Sequence, residues 1–169
     1  MSLRANLFLI TLLLLTACGF RPLYGTNSVT QDAGVTASLD QVRIDNIPDR
    51  SGQYLRNALI DRFYRGGTPV DPRYVLSVTP VHETITDLDI TKSSSATRAQ
   101  LRLDVEMTLV DHRGGTTVMQ RKLVAITSYN ILQSQFTTRV SEEAARQTAL
   151  DDIAGQIERY LALHFSTTK

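Results

Sequence analysis

The chain has 169 residues, of which 42% are apolar and 21% charged, with a formal net charge of +1 and a single cysteine. That length holds one domain with a self-sufficient core, and a charge so close to zero supplies no global field to draw the protein onto nucleic acid or an anionic bilayer. One cysteine excludes a disulfide within the chain, a cysteine zinc cluster and a redox pair.

Arg4 precedes the apolar run from Leu7 to Leu15, so residues 1–17 read as a secretory signal peptide, too short to span a bilayer, which needs roughly 20 apolar residues. The run ends in Leu15-Thr16-Ala17-Cys18, a branched aliphatic, a small polar and a small apolar residue leading into cysteine. This resembles the bacterial lipobox, which implies cleavage before Cys18 and lipid attachment to it. Two or more acyl chains anchor a protein stably where one holds it only marginally. A plain signal peptide with a chance cysteine, or an uncleaved anchor, are the other readings of the same residues.

Residues 18–38 are expected to form a lipidated tether, because Thr26 to Ser38 is rich in Thr, Ser, Asn, Gln, Asp and Gly and buries little. Its start is different: Phe20, Leu23 and Tyr24 suit either the membrane interface or a partner surface. The single globular domain then covers 39–169.

Within it, Leu39 to Ile47 reads as a first strand that Pro48 ends. Asp49 or Ser51 can cap the helix that follows, where Leu55, Ala58, Leu59 and Phe63 share a face from about Ser51 to Tyr64. Gly66-Gly67 and Pro69 stop it. Tyr74 to Ile85 is the second strand, with Pro80 marking an edge or a bulge, and Thr84 to Thr97 reads as a polar connection. Ala99, Leu101, Leu103, Val105, Met107 and Leu109 then alternate strictly with polar residues, which demands a long strand buried on one face.

Asp111 to Gly115 forms a hairpin loop, and the return strand runs from about Thr116 to Tyr129. Its buried face is ambiguous, with Val118, Val124 and Ile126 on one side and Met119, Leu123 and Ala125 on the other, and a bulge is one way to switch it. Asn130 to Arg139 reads as a connection carrying Ile131, Leu132 and Phe136. Ser141 with Glu142 and Glu143 opens the last helix, whose apolar stripe runs from Ala145 through Leu161 to His164. The expected fold is therefore α+β: a four-stranded mixed β-sheet with two α-helices packed on one face, in the order β-α-β-β-β-α.

Catalytic and metal constellations are missing from this pattern. His82, His112 and His164 fit no metal spacing, and Asp87-Leu88-Asp89 and Asp151-Asp152 read as solvated acids rather than catalytic pairs. No cofactor motif is present. The cations Lys92, Arg98, Arg102, Arg113, Arg121 and Lys122 gather on the long strand and its neighbours, where they suit either phosphate recognition or a mixed-charge solvated face. No aromatic row interleaves with them, so nucleic acid is not an expected partner.

The start Cys18-Gly19-Phe20-Arg21-Pro22-Leu23-Tyr24, Ser128-Tyr129 closing the last strand, and the helix from Ser141 to Leu161 together resemble the LptE family of lipopolysaccharide-assembly lipoproteins, in an alphaproteobacterial form. The resemblance implies a non-enzymatic lipoprotein of the outer membrane, facing the periplasm and anchored in outer-membrane lipid through acylated Cys18. It also implies a plug inside an LptD-like β-barrel and a part in delivering lipopolysaccharide to the outer leaflet. Gly19 agrees with sorting to the outer membrane. Lipopolysaccharide phosphates would seek Arg98, Arg102, Arg121 and Lys122. A stand-alone periplasm-facing lipoprotein that binds another ligand or envelope component, or even a hydrolase, is the competing expectation.

Overall fold

The computed structural model describes residues 34, 37–64, 66–90 and 96–167. The expected signal peptide, Cys18, most of the expected tether and Lys92 lie outside them.

The sheet is built on β4 (Ala96–Asp111), the strand with the strictest alternation. Its sixteen residues extend over about 50 Å. Ala99, Leu101, Leu103, Met107 and Leu109 have no solvent exposure, and burying a large apolar side chain of this kind stabilises by roughly 1.5–3 kcal/mol. One edge of β4 carries β5 (Thr116–Asn130) along its length. The other edge carries β2 (Tyr74–Val78) and then β3 (His82–Ile90), end to end and both antiparallel to it.

β2 and β3 occupy one line in the sheet. Val78 faces Met107 and His82 faces Asp104, so the shorter strand has one residue to spare in this interval. That residue is accommodated at Thr79-Pro80-Val81, where proline has no N–H to give to the ladder. The Thr79 N–H donates to the Glu106 carbonyl at 2.9 Å, and the Glu106 N–H returns to the Thr79 hydroxyl at 2.9 Å. Two corrections follow. The sheet has five strands rather than four, and beyond Ile85, the expected end of the second strand, residues 86–90, including Asp87-Leu88-Asp89, are strand rather than polar connection. β-Branched Thr84, Ile85 and Thr86 let a polar sequence stay extended at the sheet's border.

At the far edge, β1 (Val42–Ile44) lies parallel to β2, joined through helix α1 (Asp49–Phe63). β1 is shorter than expected, and α1 starts without a side-chain cap, so neither Asp49 nor Ser51 plays that part. Asp49 instead takes a positive φ of 69°, a conformation aspartate tolerates better than most residues. Gly52 is required where α1 crosses Ile47, because a Cβ there would stand 2.7 Å from the Ile47 Cγ2 and 3.0 Å from its carbonyl carbon and oxygen.

The second helix, α2 (Gln135–Thr167), begins six residues before the expected cap. Ser134 stands at the N-cap position, its carbonyl accepting the Thr138 N–H at 3.1 Å, so Phe136 lies in the first turn and Ser141 inside the helix. α2 crosses the sheet obliquely. The Thr127 hydroxyl of β5 donates to the Ala145 carbonyl at 3.2 Å, and the ring of Phe165 lies 5.1 Å from that of Tyr74 on β2. Leu55, Leu59 and Phe63 of α1 and Ile153, Ile157 and Leu161 of α2 form one core with the apolar row of β4. Both helices therefore cover the same face of the sheet, as expected. No helix among the described residues is long and apolar enough to cross a membrane.

Candidate polar sheet face

The strand register assigns every side chain to a face. Paired residues of antiparallel strands point the same way, so Leu101, Leu103 and Val105 share the helix side with Thr127, Ala125 and Leu123. A bulge between Leu109 and Val110 leaves Val118 without an opposite number, which settles the ambiguity in β5: its buried face is Leu123, Ala125 and Tyr129. The opposite face, which no described helix covers, carries Arg98, Gln100, Arg102, Asp104, Glu106 and Thr108 from β4 and Lys122, Val124, Ile126 and Ser128 from β5. His82, Thr84 and Thr86 of β3 extend it.

Three of the four cations named from the sequence meet here, and the fourth does not. Arg98, Arg102 and Lys122 are on the polar face, whereas Arg121, in register with Met107, is exposed on the helix side. The odd-even alternation of a strand makes this separation unavoidable for adjacent residues. Arg102 is held by Asp104 through two hydrogen bonds of 2.9 Å, an arrangement that keeps the Asp104 carboxyl below its ordinary range. Arg98 donates to the Ser128 hydroxyl at 3.2 Å and makes no ion pair among the described residues. Lys122 is in register with Glu106, whose carboxylate accepts the Gln120 amide at 2.6 Å.

Same-face positions four apart on a strand lie about 13 Å from each other, so Arg98, Arg102 and the Glu106/Lys122 pair form a row roughly 26 Å long. Such a row does not converge on one small anion; it suits a large ligand with several separated phosphates, or the wall of a polar cavity. Arg113, at the hairpin, pairs with Asp71 at 3.5 Å and belongs to neither face's row.

The expected acids and histidines fall apart in space. Asp151 accepts a hydrogen bond from the Tyr54 hydroxyl at 3.3 Å, and burial followed by this carboxylate pushes the phenol's pKa up. Asp152 accepts the Gln156 amide at 3.0 Å. His82 is on β3, His112 in the hairpin loop and His164 in the last turn of α2. No group of three or more metal-binding side chains comes together among the described residues.

Two clusters carry no sequence motif. Arg146 of α2 reaches Glu83 of β3 with two bonds of 2.8 Å and binds Glu142 and Glu143 at 2.6 Å each, which raises its pKa and ties α2 to the polar strand. The Tyr64 hydroxyl, just past α1, accepts the Ile44 N–H and donates to the Val42 carbonyl, both at 3.0 Å. The three- and four-residue spacing of Arg146 from Glu143 and Glu142 is a signal for helical ion pairing that the cap reading of these acids passed over, whereas the partner 63 residues away leaves no signal in the sequence.

Fold and face together define a two-layer α+β domain with one sealed and one polar surface. Residues 39–161 match the family described as LptE, lipopolysaccharide-assembly, and the chain belongs to that family. Solved structures agree on the fold. A protein from Caulobacter crescentus CB15, described as a lipoprotein, is 22% identical with a TM-score of 0.62, over 79% of this chain and 96% of the other. A minor lipoprotein from Acinetobacter baumannii gives 24% identity and 0.58 over 72% and 90%. The rare lipoprotein B of Shewanella oneidensis gives 14% and 0.56 over 72% and 91%. No curated protein sequence matches significantly.

Proposed function

We propose that this protein is an outer-membrane lipoprotein, acylated at Cys18 after removal of residues 1–17 and tethered through residues 18–38. In this reading the domain sits on the periplasmic side as a plug within an LptD-like β-barrel and helps deliver lipopolysaccharide to the outer leaflet. Its role is non-catalytic: it holds and positions.

The observation that carries the reading is the contrast between the two faces of the sheet. A polar face with spaced cations over a sealed core is what a body lodged in a polar, water-lined barrel lumen needs, since the lumen offers no apolar surface to bury against. Arg98, Arg102 and Lys122 supply donors for phosphate on that face, with arginine able to engage it by two parallel bonds.

Extraction of the full-length protein in mild detergent, followed by affinity purification and intact-mass analysis, tests this. The expected result is a barrel protein recovered in one-to-one ratio and a mature chain beginning at an acylated Cys18. A freely soluble monomer with an unmodified thiol would contradict it and favour a stand-alone periplasmic protein.

A further inference from the structure

The sheet ends in β5 on one side and in β1 and β3 on the other, and β1 and β5 are finished differently. On β1 the Tyr64 hydroxyl occupies the outward N–H of Ile44 and the outward carbonyl of Val42, taking up one donor and one acceptor that another strand would need on this three-residue edge. On β5 the backbone is oriented by the Ile131 N–H, which donates to the Thr97 carbonyl at 2.9 Å, and by the unbroken register from Arg98↔Asn130 to Leu109↔Met119. Odd-numbered residues therefore pair with β4, and even-numbered residues from Gln120 to Asn130 direct their N–H and C=O groups outward. Among the described residues one side chain reaches this border: the Gln156 amide donates to the Val124 carbonyl at 3.0 Å.

A fifteen-residue strand left in this state is a template for another strand. Its chemistry selects what kind. Arg121 and Lys122 are adjacent, exposed and on opposite faces, and neither makes an ion pair among the described residues. Two β5 edges brought together would set these like charges beside each other, whereas a strand bearing carboxylates would neutralise them.

We propose that the outer edge of β5 accepts, by strand addition, an extended carboxylate-bearing segment of the barrel partner. This rests on the reading given under Proposed function. The competing occupant is a second copy of this chain offering β3, which carries Glu83 and Asp87.

The test measures amide exchange residue by residue in the full-length protein, alone in detergent and in the complex recovered with the barrel. The expected result is exchange slowed by about tenfold or more at Lys122, Ile126 and Ser128 on complex formation, with the odd-numbered amides unchanged. Ile126→Pro removes one outward N–H without touching the β4 ladder and should lower barrel recovery about tenfold at an unchanged urea midpoint, while Ile126→Val restores it. Arg121→Glu with Lys122→Glu should also lower recovery. A barrel that is bound while these amides exchange at their free rates overturns the proposal, as does protection that appears in the protein alone and grows with concentration. If no barrel is recovered with the wild-type protein, the reading of the preceding section fails and the named occupant fails with it.

Discussion

Tyr64 and Arg146 show how single polar side chains hold this fold where apolar contact does not. Tyr64→Phe leaves the Ile44 N–H and the Val42 carbonyl without their partner, and urea unfolding should show a loss of about 1–3 kcal/mol. A loss below about 0.5 kcal/mol would mean that water serves the edge as well as the phenol does. Arg146→Met removes the bonds to Glu83, Glu142 and Glu143 and sets three carboxylates together, for an expected cost of about 2 kcal/mol or more in the same assay. Asp111 is a third case. Its carboxylate accepts the N–H groups of Gly114 and Arg113, which holds its pKa below the ordinary 3.8. A carboxyl whose pKa is lower folded than unfolded stabilises above the unfolded value, and the contribution disappears as pH falls through the folded one. Asp111→Asn should therefore flatten the stability curve below about pH 4 and leave its shape near neutrality unchanged, as read by urea midpoints across pH.

At the scale of elements, the helices differ in what their glycines tolerate. Gly52→Ala in α1 drives a methyl into Ile47 and should destabilise by about 1–3 kcal/mol. Gly155→Ala in α2 meets only the end of the Arg159 side chain, at 3.3 Å, and should be neutral or stabilising by up to about 1 kcal/mol. Thermal melts of the two variants moving in the same direction would contradict this. The elements themselves were legible where burial imposed a period. β4 could be read because one whole face is sealed, and α1 because Leu55, Leu59 and Phe63 recur on its inner side. The start of β3 reads as the end of one strand reaching Ile85, but its extension to Ile90 was not legible, because a border strand with Thr84, Thr86 and Asp87 needs no apolar alternation to stay paired. The start of α2 was hidden by Ser141-Glu142-Glu143, which has the chemistry of a cap, while the helix in fact opens on exposed Phe136 after Ser134.

For the whole molecule, the site is a face, and a face depends on register, which composition cannot report. Arg98 and Arg102 could be placed together because they lie four apart on one alternating strand. Alternation alone puts Arg121 and Lys122 on opposite faces, but which of them joins the polar row is decided by the bulge at Leu109/Val110, which sets the phase of β5. This separation makes the functional reading testable by direct binding. Lipopolysaccharide affinity of the purified protein should be measured for wild type, for Arg98→Glu with Lys122→Glu, and for Arg121→Glu, with urea midpoints confirming equal folding. The polar-face pair should weaken binding about tenfold or more, and more so at low ionic strength, while Arg121→Glu alone should change it little. Unaltered binding in the polar-face pair, or a loss confined to Arg121→Glu, would contradict the assignment of lipopolysaccharide to the polar face of the sheet.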